Sequence, residues 1–139
     1  MTHATEDRNH CATTGVCPVN GRRYRQVPLR TVLHHVRQPW RRAWAAGDYY
    51  FCTDPDCDVV YFGADASLIR RTELRTAIGQ KSVDPDRTVC YCFGVTAVEA
   101  MGPSGESRAY VVERTKCGDC ACAIRNPSGR CCLGDFPDC

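Results

Sequence analysis

The sequence lacks any long apolar run. No segment approaches the roughly 20 consecutive apolar residues that a membrane-spanning helix needs. The opening stretch, MTHATEDRNH, is polar and charged, whereas a secretory signal contains an apolar segment. These two absences argue against a membrane protein and against a secreted one. We therefore expect a cytoplasmic protein with no membrane partner.

The sequence also lacks the motifs of common enzymes. No catalytic triad, phosphate-binding glycine loop or dinucleotide fingerprint is present, and the glycines Gly102 and Gly105 are typical of a loop. Nucleophilic catalysis and catalysis by a paired acid and base are therefore not indicated. An electron-transfer protein or a metallochaperone is favoured over an enzyme, and metal reduction is the one enzymatic activity that stays open.

Cysteine, by contrast, is abundant: the chain has 12 cysteines among 139 residues. A chain of this length buries only about two-thirds of its unfolded surface. Disulfides or metals are therefore expected to supplement the core. Because thiols stay reduced in the cytosol, the abundance favours metal ligation over a disulfide scaffold.

Acidic residues are absent from positions 22–42, a stretch that is rich in arginine. The arginines are Arg22, Arg23, Arg25, Arg30, Arg37, Arg41 and Arg42. A basic face of this kind can meet nucleic acid or an acidic protein. A solvated helix face is the simpler interpretation, and we favour it over a nucleic-acid partner.

The cysteines form two sets on either side of a polar segment, GQKSVDPDRT (residues 79–88), which has the composition of a linker. This pattern predicts a zinc-binding module at residues 1–80 and a cluster-binding domain at residues 86–139. The fold class that we expect is a small α+β protein stabilised by metals.

Local patterns predict several elements. In the first half, LRTVLHHVRQ carries one apolar helical stripe that Pro39 ends, and YYFCTDPDCDVVYF predicts a β-hairpin with a cysteine at each end of its turn. In the second half, Thr96 and Glu99 form a capping box that starts a helix at Ala97, and NPSG predicts a turn before Cys131. RAYVVERT is too short for an assignment. The helical stripe consists of Leu29, Val32, Leu33 and Val36.

The N-terminal thiols match the needs of one tetrahedral ion. Cys52 and Cys57 stand at the ends of the predicted hairpin turn, and the other thiols before the polar segment are Cys11 and Cys17. Structural zinc takes four cysteine or histidine ligands, so these four predict a zinc site that has no open position for catalysis. Alternative ligands are His10, His34, His35 and Asp54. For the two adjacent histidines, one packed against the helix stripe and one solvated is favoured over ligation.

The C-terminal thiols exceed the needs of any single site. Cys90 and Cys92 form a CxC pair that can chelate one iron, and a second iron needs two more thiolates. The candidates are Cys117, Cys120, Cys122, Cys131 and Cys132. Ligation by four cysteines is what a [2Fe-2S] cluster requires. A second zinc site on the same thiols is the alternative, because spacing alone does not separate the two.

Two motifs resemble those of a known family. CYCFGVT, followed by further cysteines and NPSGRCC, resembles the cluster domain of CopZ-type copper proteins, which is similar to bacterioferritin-associated ferredoxin. YYFCTDPDCDVVYFG and LRTAIG resemble the zinc-binding part of the same CopZ N-terminal domain. The resemblance implies a zinc-binding β-hairpin module followed by a helical [2Fe-2S] domain that resembles bacterioferritin-associated ferredoxin. It also implies a role in copper handling, with electron transfer to Cu(II).

The resemblance also implies ligand sets. For the cluster it implies Cys90, Cys92, Cys122 and Cys132. TKCGDC, however, also resembles a ligand loop of bacterioferritin-associated ferredoxin that would nominate Cys117 and Cys120 in place of Cys122 and Cys132. For zinc it implies Cys17, Cys52 and Cys57, with Cys11 as a looser match.

We therefore expect an electron-transfer protein of copper homeostasis that contains zinc and a [2Fe-2S] cluster. It would reduce Cu(II) to Cu(I) and hold transient copper on spare thiols, since soft thiolates select Cu(I). Its partners would be copper ions or a copper-handling or redox protein. Archaeal family members continue into a domain with an MxCxxC loop, which this sequence lacks, so delivery of copper to a pump is not implied. The alternatives are a non-redox metal-sensing or cluster-storage protein that docks through its arginine-rich segment, and a module with two zinc ions.

Overall fold

A five-stranded antiparallel sheet forms the first half of the chain, and a two-stranded sheet with three short helices forms the second. The computed structural model describes residues 14–44 and 46–136. The strands of the larger sheet follow chain order and are β1 Thr14–Val16, β2 Arg23–Val27, β3 Tyr49–Phe51, β4 Val59–Gly63 and β5 Leu68–Arg70. The smaller sheet pairs β6 Thr88–Cys90 with β7 Val95–Thr96. The helices are α1 Leu29–His35, α2 Ala97–Ala100, α3 Glu106–Lys116 and α4 Cys122–Arg125.

The predicted β-hairpin is confirmed as β3 and β4. Tyr50 lies opposite Phe62 and Phe51 lies opposite Tyr61 in an antiparallel register. The rings of Tyr50 and Phe62 stack with centroids 5.3 Å apart. Every residue of β4 is buried, so this strand lies at the centre of the first core, the apolar core of the first half of the chain. The hairpin thereby holds the turn between its strands in a fixed position.

The predicted helix before Pro39 is confirmed as α1, but only part of its stripe is buried. Val32 and Val36 are fully buried, whereas Leu29 is 39% exposed. Thr31 is fully buried instead, and its hydroxyl donates a hydrogen bond to the carbonyl of Ala123 in α4. The helix therefore has a second buried face, because it packs against α4 of the other half as well as against the sheet.

Local signals in the second half are also confirmed. The amide of Thr96 donates to Glu99 Oε1 over 3.0 Å, and the Thr96 hydroxyl accepts from the Glu99 amide, so the capping box begins α2 at Ala97. NPSG forms a turn closed by a 2.8 Å hydrogen bond from Gly129 N to Asn126 O. Helix α3 covers RAYVVERT, which the sequence left unassigned. Val111 is its one buried residue, so the helix has almost no apolar periodicity to detect.

The polar segment at residues 79–88 begins with a packed joint, the turn Gly79–Lys81, whereas residues 83–86 are exposed. Gly79 and Lys81 are buried within a short 3-10 turn, Gly79–Lys81. A Cβ atom on Gly79 would lie 1.9 Å from the carbonyl oxygen of Thr88, so only glycine fits there. The Tyr61 hydroxyl also donates a 2.6 Å hydrogen bond to Pro127 O. The two halves therefore share a buried polar interface.

No helix within the described residues has the length and apolarity that crossing a membrane requires.

Candidate metal centres

Three cysteines of the first half converge on one point. Cys17 follows β1, Cys52 follows β3 and Cys57 precedes β4. Their sulfur atoms all lie within 4.8 Å of one another, and all three side chains are buried. Tetrahedral zinc with Zn–S bonds of about 2.3 Å separates its sulfurs by roughly 3.8 Å. The donor type and the spacing of these three residues fit a zinc ion.

The backbone around this cluster supplies hydrogen-bond donors to sulfur. Burial opposes ionisation of Cys17, but N–H donors in the backbone of Asn20 and Val19 outweigh it and hold the pKa of this thiol below its ordinary value. The Asn20 side chain also donates to Cys52 Sγ over 3.5 Å. For Cys57, burial raises the pKa above its ordinary value. The site is thus prepared to hold thiolates once a cation compensates their charge.

Lys81 approaches the same cluster, and sequence analysis missed it. Its side chain is 1% exposed, and its ammonium group lies 3.7 Å from Cys52 Sγ. Burial lowers the pKa of Lys81, and the neighbouring Cys52 and Cys57 oppose that effect. No sequence signal could have found this contact, because Lys81 stands in a polar stretch of linker composition.

The fourth predicted zinc ligand, Cys11, lies outside the described residues, as does the alternative His10. Of the residues that the structure describes, no histidine or carboxylate joins the three sulfurs within 4.8 Å. His35 is buried, and its Nε2 is 3.0 Å from Ile124 O. His34 is partly exposed and packs edge-on against His35, with ring centroids 4.9 Å apart. Of the predicted packed and solvated histidines, His35 is the buried one, but it contacts Ile124 of the second half, and His34 is the partly exposed one.

The predicted cluster residues also meet in the structure. Cys92 Sγ lies 3.8 Å from Cys122 Sγ. Cys132 is 1% exposed; burial raises its pKa, and the close thiols of Cys90 and Cys122 raise it further. Burial likewise raises the pKa of Cys122 to about 12. Four thiols from three separate chain segments therefore lie together in the second core, the apolar cluster of the second half that includes Val89, Val95, Val111 and Phe136.

The remaining described thiols are more open to solvent. Cys117 and Cys131 are exposed, and Cys120 is partly buried at the edge of the second core. The Cys117 thiol donates to Glu113 Oε2 over 3.8 Å. Cys131 faces solvent, whereas the adjacent Cys132 faces the second core.

The arginine-rich segment does not form one helix face, so that part of the interpretation was wrong, but six of its seven arginines are exposed as predicted. Arg23 and Arg25 lie on β2, whereas Arg30 lies on α1. Arg42 is partly buried and forms an ion pair with Glu73 at 2.6 Å. The positive charge is thus distributed over β2, α1 and the residues that flank them.

Comparison with known proteins connects these sites to a family. Residues 14–75 match the CopZ family model that is described as a zinc binding domain. The copper chaperone CopZ of Archaeoglobus fulgidus is 40% identical over 121 residues, which cover 84% of this chain and 55% of that protein. The chain therefore spans about half the length of this curated relative.

A solved structure extends the similarity to the second half. The X-ray structure of the Archaeoglobus fulgidus CopZ N-terminal domain matches with a TM-score of 0.66 and 36% sequence identity. The match covers 89% of this chain and 100% of that one. Both halves of the α+β fold, with the antiparallel sheet and the helices, are thus found together in a relative. The three-cysteine site also falls inside the residues that match the zinc-binding model. On this basis the chain belongs to the family of the CopZ N-terminal domain, a family with a zinc-binding portion.

Proposed function

We propose that this chain is a zinc- and [2Fe-2S]-containing protein of copper homeostasis that takes part in one-electron reduction of Cu(II) to Cu(I). The observation that carries the proposal is the convergence of four buried or half-buried thiols in the second core, next to a family-typical zinc site in the first. A relative that is named a copper chaperone supports copper as the metal handled.

The zinc has a structural role in this proposal. Its ligands are Cys17, Cys52 and Cys57, and Cys11 completes the set. Four thiolates leave no open coordination position for a substrate. The ion would connect the segments after β1 and β3 and before β4. Residues 1–80 would then form a zinc-dependent unit.

The cluster ligands in this proposal are Cys90, Cys92, Cys122 and Cys132, within a domain at residues 86–139. Donor chemistry supports a binuclear group, because iron–sulfur clusters take cysteine thiolates.

The geometry favours Cys122 and Cys132 over the alternative pair Cys117 and Cys120. Cys122 Sγ is 3.8 Å from Cys92 Sγ, while Cys117 is exposed at the end of α3. Cys117 and Cys120, the two thiols of TKCGDC, are therefore not among the proposed cluster ligands. Cys117, Cys120 and Cys131 become the spare thiols on which Cu(I) would be held, since thiolates are soft ligands.

A bound [2Fe-2S] cluster supplies the capacity to accept and release one electron at a time. The chain's own residues set the environment for this capacity. The amide of Ala121 donates to Cys92 Sγ over 3.0 Å, a contact of the kind that raises the potential of an iron–sulfur centre. Cys92 is only partly buried, so it marks the edge nearest to solvent. In the overall reaction a redox partner loses one electron and Cu(II) gains it.

The test is metal analysis combined with visible spectroscopy. Anaerobically purified protein is analysed for iron, sulfide and zinc, and its absorption spectrum is recorded before and after dithionite. The proposal predicts a coloured protein that bleaches on reduction, with two irons and two sulfides per chain beside one zinc. A colourless protein with two zinc ions would remove the redox function and favour the module with two zincs. A coloured protein that does not reduce Cu(II) would instead remove copper as the electron acceptor.

A further inference from the structure

Lys81 is an unusual residue in this chain because it is a buried lysine. The sequence contains two lysines, Lys81 and Lys116. Lys116 is exposed at the end of α3, whereas Lys81 is 1% exposed. Burying an ammonium group without an anion is costly, and proteins rarely do so. The structure must therefore supply a compensating charge near Lys81.

The partners of the Lys81 ammonium show where that charge comes from. Nζ donates to the carbonyl oxygens of Asp54 and Cys52 over 2.7 and 3.0 Å. Both acceptors are neutral. Of the ion pairs found in the described part of the chain, none includes Lys81. The remaining contact is Cys52 Sγ at 3.7 Å, which belongs to the three-cysteine cluster.

The net charge of the zinc-bound site follows from its ligands. Three thiolates carry a charge of −3, and one zinc ion carries +2, so the bound site keeps a charge of −1. The Lys81 ammonium reduces this charge to zero, and a fourth thiolate would return it to −1. Zinc binding fixes a negative charge on Cys52 Sγ, the sulfur that lies 3.7 Å from the Lys81 ammonium. Buried charges are stable only when paired.

We propose that Lys81 is the counter-cation of the zinc-thiolate site, so that zinc binding and burial of Lys81 depend on each other. The inference rests on the proposed zinc site and adds a residue from outside the ligand set. Lys81 is a positioning residue here: it touches a ligand sulfur and does not bind the ion. Partners of this kind stabilise the thiolate form of a ligand and fix its orientation.

The position of Lys81 extends this dependence to the second half of the chain. It ends the Gly79–Lys81 turn. The amide of Gly79 donates to the Tyr91 hydroxyl over 2.8 Å, and the Gln80 side chain donates to Asn126 Oδ1 over 2.6 Å. Tyr91 lies between the two predicted cluster ligands of the CxC pair. Loss of zinc would therefore loosen the joint that supports the second thiol set.

The first experiment measures the reactivity of the two lysines in the wild-type protein. Zinc-loaded and chelator-treated protein are exposed to an amine-specific acylating reagent, and peptides are quantified by mass spectrometry. Lys116 serves as the internal control and should react equally in both samples. Lys81 should be protected when zinc is bound and should react at least about tenfold faster after zinc is removed, as expected when a local unit opens.

The second experiment measures zinc affinity by competition with a chromophoric chelator. Lys81→Met is compared with Lys116→Met, which makes the same chemical change at an exposed site. We expect zinc binding to weaken roughly 10- to 100-fold in Lys81→Met only, the range typical of residues that support a metal ligand. If Lys81→Met fails to fold, the labelling of wild-type protein decides.

The outcomes separate this inference from the proposed function. Lys81 that is labelled equally with and without zinc, or a Lys81→Met variant that binds zinc as Lys116→Met does, overturns the inference and leaves the zinc site in place. Wild-type protein that binds no zinc overturns the zinc site, and the inference with it.

Discussion

Tyr61 provides a direct test of whether the two halves of the chain fold as one unit. Its side chain is fully buried in β4, and its hydroxyl donates a 2.6 Å hydrogen bond to Pro127 O in the second half. Tyr61→Phe removes one oxygen and leaves the ring in place, so no large cavity forms. The buried carbonyl of Pro127 then loses this donor. An unsatisfied buried acceptor costs about 1–3 kcal/mol, and we expect that loss in the free energy of unfolding.

The assay is denaturant unfolding of the metal-loaded protein under anaerobic conditions with two probes. Fluorescence of Trp40 and Trp44 reports on the first half, and visible absorption reports on metal held by the second. Tyr110→Phe is the matched control, because Tyr110 is 55% exposed and its hydroxyl has no hydrogen-bond partner in the described part of the chain. Its free energy of unfolding should change by less than about 0.5 kcal/mol.

Two results would refute this reasoning. The first is a Tyr61→Phe variant as stable as the Tyr110→Phe control, which would mean that the bond across the halves contributes nothing. The second is a shift in only one of the two probes, which would mean that the halves unfold separately. A shared shift of both probes supports a single cooperative unit with the joint at residues 79–81 inside it.

Three further changes test the sites and the joint. Cys132→Ser should lose most of its bound iron while Cys131→Ser keeps it, since only the first of these thiols faces the core; equal iron content in the two variants would contradict the ligand assignment. Burial lowers the pKa of His35 from its ordinary value of 6.5 to about 4 in the folded protein. The unfolded chain therefore binds this proton more readily, and stability that is fully present above about pH 6.5 falls by up to about 3 kcal/mol as the pH approaches 4. His35→Gln should flatten this part of the pH profile, measured by denaturant unfolding with the metal content monitored, and an unchanged slope would argue against the assignment. Gly79→Ala would place a Cβ atom 1.9 Å from Thr88 O, so it should lower the free energy of unfolding by about 1–3 kcal/mol; a loss below about 0.5 kcal/mol would show that the joint is pliable.

Much of the local structure follows from residues that are neighbours in the chain. The hairpin of β3 and β4 was predictable because its aromatic and β-branched runs flank a short polar turn. The start of α2 was predictable because Thr96 and Glu99 satisfy each other's backbone donors within one turn. Helix α3 was not, since its single buried residue leaves no stripe to recognise. Prediction from sequence patterns thus succeeds where the stabilising contacts join residues that are close together in the chain.

The ligand sets were only partly open to prediction. Spacing identifies pairs such as Cys52 with Cys57, because the two ends of one hairpin turn must lie close together. It does not separate Cys122 from Cys120, since these residues are two positions apart in the same short segment. In the structure α4 begins at Cys122, and the 3.8 Å distance from Cys122 Sγ to Cys92 Sγ is the reason for proposing Cys122 as a ligand.

The sequence by itself predicted a metal-binding protein, and it determined that the thiols form two sets and that a hairpin presents one of them. These properties depend on composition and on short-range spacing, which the printed chain contains. The tertiary structure alone decided which distant thiols meet, that residues 79–81 form a packed joint, and that Lys81 lies beside Cys52. Those contacts join residues about 30 positions apart, such as Cys92 with Cys122 and Lys81 with Cys52. Their formation depends on how the sheet, α1 and α4 bury their surfaces together, which no local pattern encodes.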